Sequence, residues 1–182
     1  MKKILAFGAS SSKASINQQF AIYVARQIKE AEVIEVDLND YEMPIYSVDR
    51  QRENGIHPLA LSFKELLKSC DGLVISFAEH NGAYSTAFKN IFDWISRIDK
   101  NVWEEKPMLI LSTAPGSRGG ATVFGIAHAK FTRMNPNTVK GVSLPFFHKN
   151  FSKEVGVLDT ELAEVLKGSI HDFEHMLTDQ VG

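Results

Sequence analysis

Residues 4–20 read ILAFGASSSKASINQQF, and the fold prediction depends on the pattern in this stretch. Residues 4–7 form a short, wholly apolar run, which is typical of a β-strand buried on both faces of a sheet. A serine-rich turn follows, after which Ile16 and Phe20 begin an apolar pattern at helical spacing. The stretch therefore predicts a buried strand, a polar loop and a helix in direct succession.

The same alternation continues along the chain. Further apolar runs that predict strands lie at residues 33–36, 73–77, 108–111 and 139–144, with helical patterns between them, whereas the polar, irregular residues 39–55 predict a long loop. Strands separated by helices indicate a parallel sheet with right-handed crossovers and helices on both faces. Five strands allow either a flavodoxin-like order, 2-1-3-4-5, or a truncated Rossmann order, and periodicity alone does not choose between them.

Composition narrows the class of protein. The 182 residues contain no repeat or linker, which predicts one domain over residues 1–182. Twenty Lys and Arg against 22 Asp and Glu give a net charge of −2, which argues against nucleic acid as the main partner. We expect a cytoplasmic protein, because neither a leader pattern nor a membrane-length apolar run is present. Cys70 is the one cysteine, and the histidines match neither the HxH nor the HExxH motif, so no disulfide or metal site is expected.

Ligands of such sheets bind outside the carboxyl ends of the strands, which directs attention to three loops. The first loop, residues 8–17, offers four serine hydroxyls and a predicted helix N-terminus, where backbone amides and the helix dipole attract a phosphate. A plain helix cap by Ser15 explains the loop equally well. The motifs GxxxxGK[ST] and GxGxxG are absent, so neither a triphosphatase P-loop nor a classical dinucleotide site is indicated.

The second and third loops follow the third and fourth predicted strands. Residues 78–86, AEHNGAYST, offer backbone groups that could bind the edge of a planar heterocycle, although His80 alone is more typical of a surface loop. Residues 112–120, STAPGSRGG, contain three glycines, which permit close approach of a flat ligand or simply a flexible turn.

Taken together, the three loops resemble the NAD(P)H-dependent FMN reductase family, which includes quinone, chromate and azo-dye reductases. The first loop is similar to GSxRxxSxN at Ser10, Ser15 and Asn17, although Ser12 stands at the arginine position. The third loop resembles SxxGxxGG, beginning at Ser112. The second loop and the helix after it resemble PEYNxSxPGxLKNxxDW, with matches at Glu79, Asn81, Lys89, Asn90, Asp93 and Trp94.

The resemblance implies a flavodoxin-like, three-layer α/β/α sandwich with strand order 2-1-3-4-5 that binds FMN and uses NAD(P)H as co-substrate. It also implies roles for individual residues. The FMN phosphate is expected at Ser10, Ser12, Ser15 and Asn17. The isoalloxazine is expected against Glu79, His80 and Asn81, with Ser112, Pro115 and Gly116 along its other edge. Arg118 could reach the nucleotide phosphates or the flavin edge.

The implied reaction passes reducing equivalents through the flavin to a quinone, free flavin or similar small-molecule acceptor. Because the flavin performs the hydride transfer, no catalytic side chain is expected. The family also implies a homodimer or homotetramer, for which residues 39–55 and the helix containing Trp94 are candidate contacts. Two alternatives remain open: a flavodoxin-type electron carrier, which the balanced charge disfavours, and a flavin-free regulatory protein that retains the fold.

Overall fold

The structure, a computed structural model, describes residues 1–179. A five-stranded parallel sheet forms its centre, and helices cover both faces. In chain order the helices and strands are β1 (Lys2–Ala9), α1 (Ile16–Ala25), β2 (Ala31–Glu35), a 3₁₀ turn (Leu38–Tyr41), α2 (Val48–Asn54), α3 (Pro58–Ser69), β3 (Gly72–Phe77), β4 (Glu79–His80), β5 (Ala83–Tyr84), α4 (Thr86–Ile95), β6 (Met108–Thr113), α5 (Ala121–Met134), β7 (Thr138–Leu144), α6 (Phe147–Asn150), β8 (Phe151–Ser152), β9 (Gly156–Val157) and α7 (Thr160–Asp179).

The strand order of the central sheet is β2-β1-β3-β6-β7, and every neighbouring pair is parallel. Counted among the strands of this sheet alone, the order is 2-1-3-4-5. The flavodoxin-like prediction is therefore confirmed, and the truncated Rossmann order is excluded. The winding direction reverses between β1 and β3, which is where such folds bind ligands.

Two hydrophobic cores lie on opposite faces of the sheet. Along β1, Leu5 and Phe7 pack into the core under α3, α4 and α5, whereas Ile4 and Ala6 pack into the core under α1 and α7. Successive side chains of a strand point to opposite faces, so a strand covered on both sides must be apolar at every position. This arrangement explains the uninterrupted apolar runs in the sequence.

The prediction of one long loop over residues 39–55 was wrong. The segment Leu38–Tyr41 forms a 3₁₀ turn, and Val48–Asn54 forms helix α2 between an N-cap at Ser47 and a left-handed glycine, Gly55, at φ 76°. Helix α2 buries none of its residues, so it carries no apolar periodicity from which a helix could be recognised. The capping residues alone mark its ends.

Three further short elements were not anticipated: the β4–β5 and β8–β9 hairpins and α6. The strands of these hairpins are two residues long and the helix is four, which is too short for a periodic pattern. The prediction of one domain over residues 1–182 extends to residues 180–182, which lie outside the described range, and it stays a prediction. Within residues 1–179, no helix is both long and apolar enough to cross a membrane.

Close packing at Gly8 fixes where α1 begins relative to the sheet. A Cβ atom on Gly8 would lie 2.3 Å from the backbone nitrogen of Gln18, which is too close for any side chain to be accommodated. The Gln18 side chain adds a hydrogen bond between α1 and β1, because its Oε1 accepts from the Gly8 amide at 2.6 Å. The first turn of α1 is thereby held directly over the carboxyl end of β1.

Candidate functional site

The three predicted loops converge on one cavity of about 320 Å³ at the carboxyl ends of β1, β3 and β6. Its lining residues are Ser10, Ser12, Ala14, Ser15, Ile16, Asn17, Ala78, Glu79, His80, Thr113, Ala114 and Pro115. All four residues predicted to hold the phosphate are among them, together with Glu79, His80 and Pro115. Asn81, Ser112, Gly116 and Arg118 are not part of this lining.

The first loop presents hydrogen-bond donors to the cavity. Ser15 caps α1, since its Oγ accepts from the Gln18 amide at 3.1 Å, and the Ser10 Oγ accepts from the Ser12 amide at 3.1 Å. Because a hydroxyl that accepts can still donate its own proton, both serines remain donors. Among residues 1–179 we find no hydrogen-bond acceptor for the amides of Ile16 and Asn17, as usual for the first turn of a helix.

The Asn17 side chain joins α1 to two strands beneath the cavity. Its Oδ1 accepts from the Ser76 hydroxyl at 2.7 Å and from the Thr113 amide at 3.0 Å, while its Nδ2 donates to the Thr113 carbonyl at 3.1 Å. Asn17 is buried, and so are both of its partners. The carboxamide therefore acts as scaffold, and the backbone amide of Asn17 is the group left to face an anion.

The second loop is a β-hairpin with a two-residue turn. His80 pairs with Ala83 across the hairpin, and the turn residues Asn81 and Gly82 have φ of 51° and 75°. Positive φ at both central positions is typical of a type I′ turn, for which Asn-Gly is the favoured sequence. His80 is exposed and is part of the cavity lining, whereas Asn81, at the tip of the hairpin, is exposed and is not part of it.

Glu79 connects the second loop to the third. Its Oε2 accepts from the Val123 amide at 3.0 Å, in the first turn of α5. That helix begins at Gly120, which has no side chain to cap it. The carboxylate therefore supplies the cap and also interacts favourably with the positive end of the helix dipole. The hairpin and α5 are thus held together around the cavity.

We expect Glu79→Ala to lower the free energy of unfolding by about 1 kcal/mol, because α5 loses its cap and its favourable charge. Glu79→Gln keeps an acceptor oxygen and should cost less than half as much. Urea denaturation followed by circular dichroism measures both. Glu53→Ala, at an exposed position of α2, is the matched control. Equal stabilities for Glu79→Ala and this control would show that the contact contributes nothing.

The other matched residues of the second motif lie outside the cavity. The Asn90 carboxamide donates to the Met43 carbonyl at 3.0 Å and accepts from the Tyr46 amide at 2.8 Å. The Trp94 Nε1 donates to the Pro44 carbonyl at 2.8 Å. These side chains therefore fasten the segment after the 3₁₀ turn to α4. The remaining matched pair, Lys89 and Asp93, forms an exposed ion pair one helical turn apart.

The third loop owes its shape to Ser112 and two left-handed glycines. The fully buried Ser112 hydroxyl donates to the Gly119 carbonyl at 2.9 Å. Gly119 and Gly120 have φ of 59° and 78°, and a Cβ on Gly119 would lie 2.8 Å from backbone atoms of residues 144 and 145. These residues therefore shape the loop. Gly116, in contrast, has open space at its Cβ position.

Arg118 is exposed, and its guanidinium donates to the Thr122 hydroxyl at 2.5 Å, one turn along the chain. Its predicted contact with nucleotide phosphates stays a prediction. Sequence reasoning missed five lining residues, namely Ala14, Ile16, Ala78, Thr113 and Ala114. Of these, Thr113 follows the motif serine Ser112 on β6, and the alternation of side chains along a strand was the available signal.

Two groups near the core have raised pKa values because burial disfavours their charged forms. The pKa of Tyr84, in the hairpin, is raised to about 12, and that of the Cys70 thiol to about 11. Both groups are therefore neutral at physiological pH. Cys70 therefore supplies no appreciable thiolate, and the polar side chains that line the three-loop cavity are hydroxyls, the Asn17 carboxamide, the Glu79 carboxylate and the His80 imidazole.

Comparison with known proteins agrees with this geometry. The family described as NADPH-dependent FMN reductase matches residues 2–149. The NADPH azoreductase of Bacillus sp. (strain OY1-2) is 29% identical over 171 residues, which cover 93% of this chain and 87% of that protein. The quinone reductase of Escherichia coli (strain K12) is 34% identical over 80 residues, which cover 44% of this chain and 43% of that protein.

The fold recurs in FerB, a flavoenzyme NAD(P)H:(acceptor) oxidoreductase from Paracoccus denitrificans. The two structures superimpose with a TM-score of 0.76 at 22% sequence identity, and 98% of each chain is covered. This likeness concerns the architecture. The family match, in contrast, spans most of the 182 residues and includes all three loops of the cavity. The chain therefore belongs to the NADPH-dependent FMN reductase family and is an FMN-dependent oxidoreductase that uses NAD(P)H.

Proposed function

We propose that this oxidoreductase binds FMN in the three-loop cavity and passes reducing equivalents from NAD(P)H to a quinone or an azo compound. The observation that carries the proposal is the cluster of donors at the start of α1. The hydroxyls of Ser10 and Ser15 and the amides of Ile16 and Asn17 meet at the cavity that the other two loops complete.

The residues present fit a terminal phosphate. The first turn of α1 contains no acidic residue, and the one carboxylate of the lining, Glu79, is engaged by the Val123 amide. Lys13 is the one cation of the first loop, so the phosphate is held mainly by neutral hydroxyls, backbone amides and the helix dipole. Bound FMN would supply the electron-transfer chemistry, while the protein supplies binding and orientation.

The names of relatives support the class of acceptor. The aligned proteins are called an azoreductase and a quinone reductase, and both names denote reduction of a planar, conjugated compound. We also propose a cytoplasmic homodimer or homotetramer. Ile45 is 66% exposed and Val48 is 49% exposed, and they lie together in the segment predicted as a subunit contact.

Flavin binding tests the proposal directly. We expect the purified protein, reconstituted with FMN, to be yellow and to oxidise NAD(P)H when a quinone or azo dye is present. Riboflavin, which lacks the phosphate, should bind at least about 10-fold more weakly, since each charge-assisted hydrogen bond contributes roughly 1.5–3 kcal/mol. Failure to take up FMN would favour the flavin-free alternative. Uptake without NAD(P)H oxidation would favour the electron carrier.

Phe146 provides a test of acceptor recognition. Its ring is 44% exposed, its backbone has a φ of 47°, and its amide donates to the Gly116 carbonyl at 3.0 Å, beside the third loop. A left-handed conformation costs a non-glycine residue about 1 kcal/mol. We propose that the ring is retained there as a stacking surface for a planar acceptor.

We expect Phe146→Gly to raise the KM for quinones about 3- to 10-fold, as expected for loss of one aromatic contact. Glycine relieves the positive φ, so the free energy of unfolding should stay within about 1 kcal/mol of the parent value. Steady-state kinetics with ferricyanide, which has no ring to stack, gives the control. An equal rise in KM for both acceptors would exclude stacking. Phe146→Trp, which keeps an aromatic ring, should have a KM for quinones close to that of the parent protein.

A further inference from the structure

Two histidines on the outer face of α7 stand one helical turn apart. The side chains of His171 and His175 are both exposed, and a hydrogen bond of 3.0 Å joins their Nε2 atoms, so one ring donates and the other accepts. The two ring planes are nearly perpendicular, at 89°. Residues four apart on a helix lie on the same face, so the backbone itself holds the pair together.

We propose that His171 and His175 form a bidentate site for a divalent transition-metal ion that favours 90° ligand angles, with Cu²⁺ as the preferred ion and Ni²⁺ next. Imidazole nitrogens bind such ions at about 2.0–2.1 Å. Two nitrogens at that distance and at 90° are about 2.9 Å apart, whereas tetrahedral geometry requires about 3.3 Å. The 3.0 Å between the two nitrogens is set by their hydrogen bond, and an ion that replaced the shared proton at 90° would keep the separation nearly unchanged.

The surroundings leave room for the remaining ligands. A cavity of about 740 Å³ adjoins the pair, and its lining also includes His128, Lys140, Asp172 and Asp179. Within residues 1–179, no group of three or more His, Cys, Asp or Glu side chains is close enough to hold an ion. Water or a small anionic ligand therefore completes the coordination, which makes this an open site that binds weakly compared with a closed structural centre.

The site is separate from the three-loop cavity. Its cavity is lined by Thr138 and Val139, which begin β7, so it lies at the amino edge of the sheet, whereas the three-loop cavity lies at the carboxyl edge. Metal binding here does not depend on the proposed FMN site. Sequence reasoning missed the pair because it looked for the complete HExxH motif, whereas residues 171–175 read HDFEH, with the same spacing of the two histidines but Asp172 in place of the motif's glutamate, within an amphipathic helix.

Titration of the full chain with CuCl₂ and NiCl₂ in a buffer that does not bind metals tests the proposal. We expect one equivalent of Cu²⁺ to bind by calorimetry, more tightly than Ni²⁺, and to give an electron paramagnetic resonance spectrum with two coordinated imidazoles. Either His171→Ala or His175→Ala should weaken binding at least about 10-fold, because the second ligand of a linked pair binds as an intramolecular partner. His148→Ala, an exposed histidine elsewhere, is the matched control.

Thermal unfolding provides a second measurement. Because the ion binds the folded helix, saturating Cu²⁺ or Ni²⁺ should raise the Tm of the parent protein and of His148→Ala, but not that of His175→Ala. Cu²⁺ affinity that is the same for His175→Ala and the parent would overturn the assignment. Loss of binding in His128→Ala to the same extent would also overturn it, since the site would then need a third protein ligand from α5.

Discussion

Replacing Ser15 by aspartate should weaken FMN binding at least about 100-fold while leaving the protein folded. Aspartate is as good an N-cap as serine, so its carboxylate can accept from the Gln18 amide and maintain the start of α1. The same carboxylate lines the cavity, where it would face the phosphate. Two unit charges about 4 Å apart repel by about 4 kcal/mol at an effective dielectric constant of 20, and 100-fold corresponds to about 2.8 kcal/mol.

Riboflavin distinguishes repulsion of the phosphate from damage to the pocket. Because riboflavin carries no phosphate, its affinity should be nearly the same for Ser15→Asp and the parent protein, as measured by fluorescence quenching. Ser47→Asp gives the matched control, since Ser47 caps α2 in the same way through the Arg50 amide and is not part of the cavity lining. If FMN bound equally well to Ser15→Asp and Ser47→Asp, the phosphate could not lie at the start of α1.

The parts of the fold that follow from local patterns could be predicted from the sequence. The five strands of the central sheet are buried on both faces, so each one appears as an uninterrupted apolar run. Helix α2 could not be recognised in this way, because it lies on the surface and buries no residue. The strand order also could not be derived from periodicity, and the prediction rested on resemblance in the loops at the strand ends.

The candidate site was predictable in position but not in the role of each residue. The motifs identified loops that meet at one cavity, yet a motif does not tell a residue that touches a ligand from one that holds the loop in place. Ser112 and Trp94 belong to the second kind, since their hydrogen bonds go to the backbone of the Gly119 loop and of Pro44. Because these partners lie at no regular distance along the sequence, no sequence pattern indicates the hydrogen bonds.

Asn17 is the residue for which this distinction has the largest consequence. We expect Asn17→Ala to lower the free energy of unfolding by about 3–4 kcal/mol. The substitution leaves the Ser76 hydroxyl and both backbone groups of Thr113 buried without partners, and each such group costs roughly 1–3 kcal/mol. Urea denaturation gives the value. Asn39→Ala, which removes an exposed carboxamide bonded to Asp37, should change the stability by less than about 0.5 kcal/mol.

Two further measurements decide whether the Asn17 carboxamide is scaffold or ligand contact. Adding Ser76→Ala to Asn17→Ala removes one of the buried donors that the single variant leaves without an acceptor. The double variant should therefore be at least about 1 kcal/mol more stable than the sum of the two single effects predicts. In folded Asn17→Ala the backbone amide is unchanged, so FMN affinity should fall less than about 10-fold. A loss of affinity as large as that of Ser15→Asp, with little loss of stability, would instead assign the side chain to the phosphate. The carboxamide would then have to leave Ser76 and Thr113 when FMN binds.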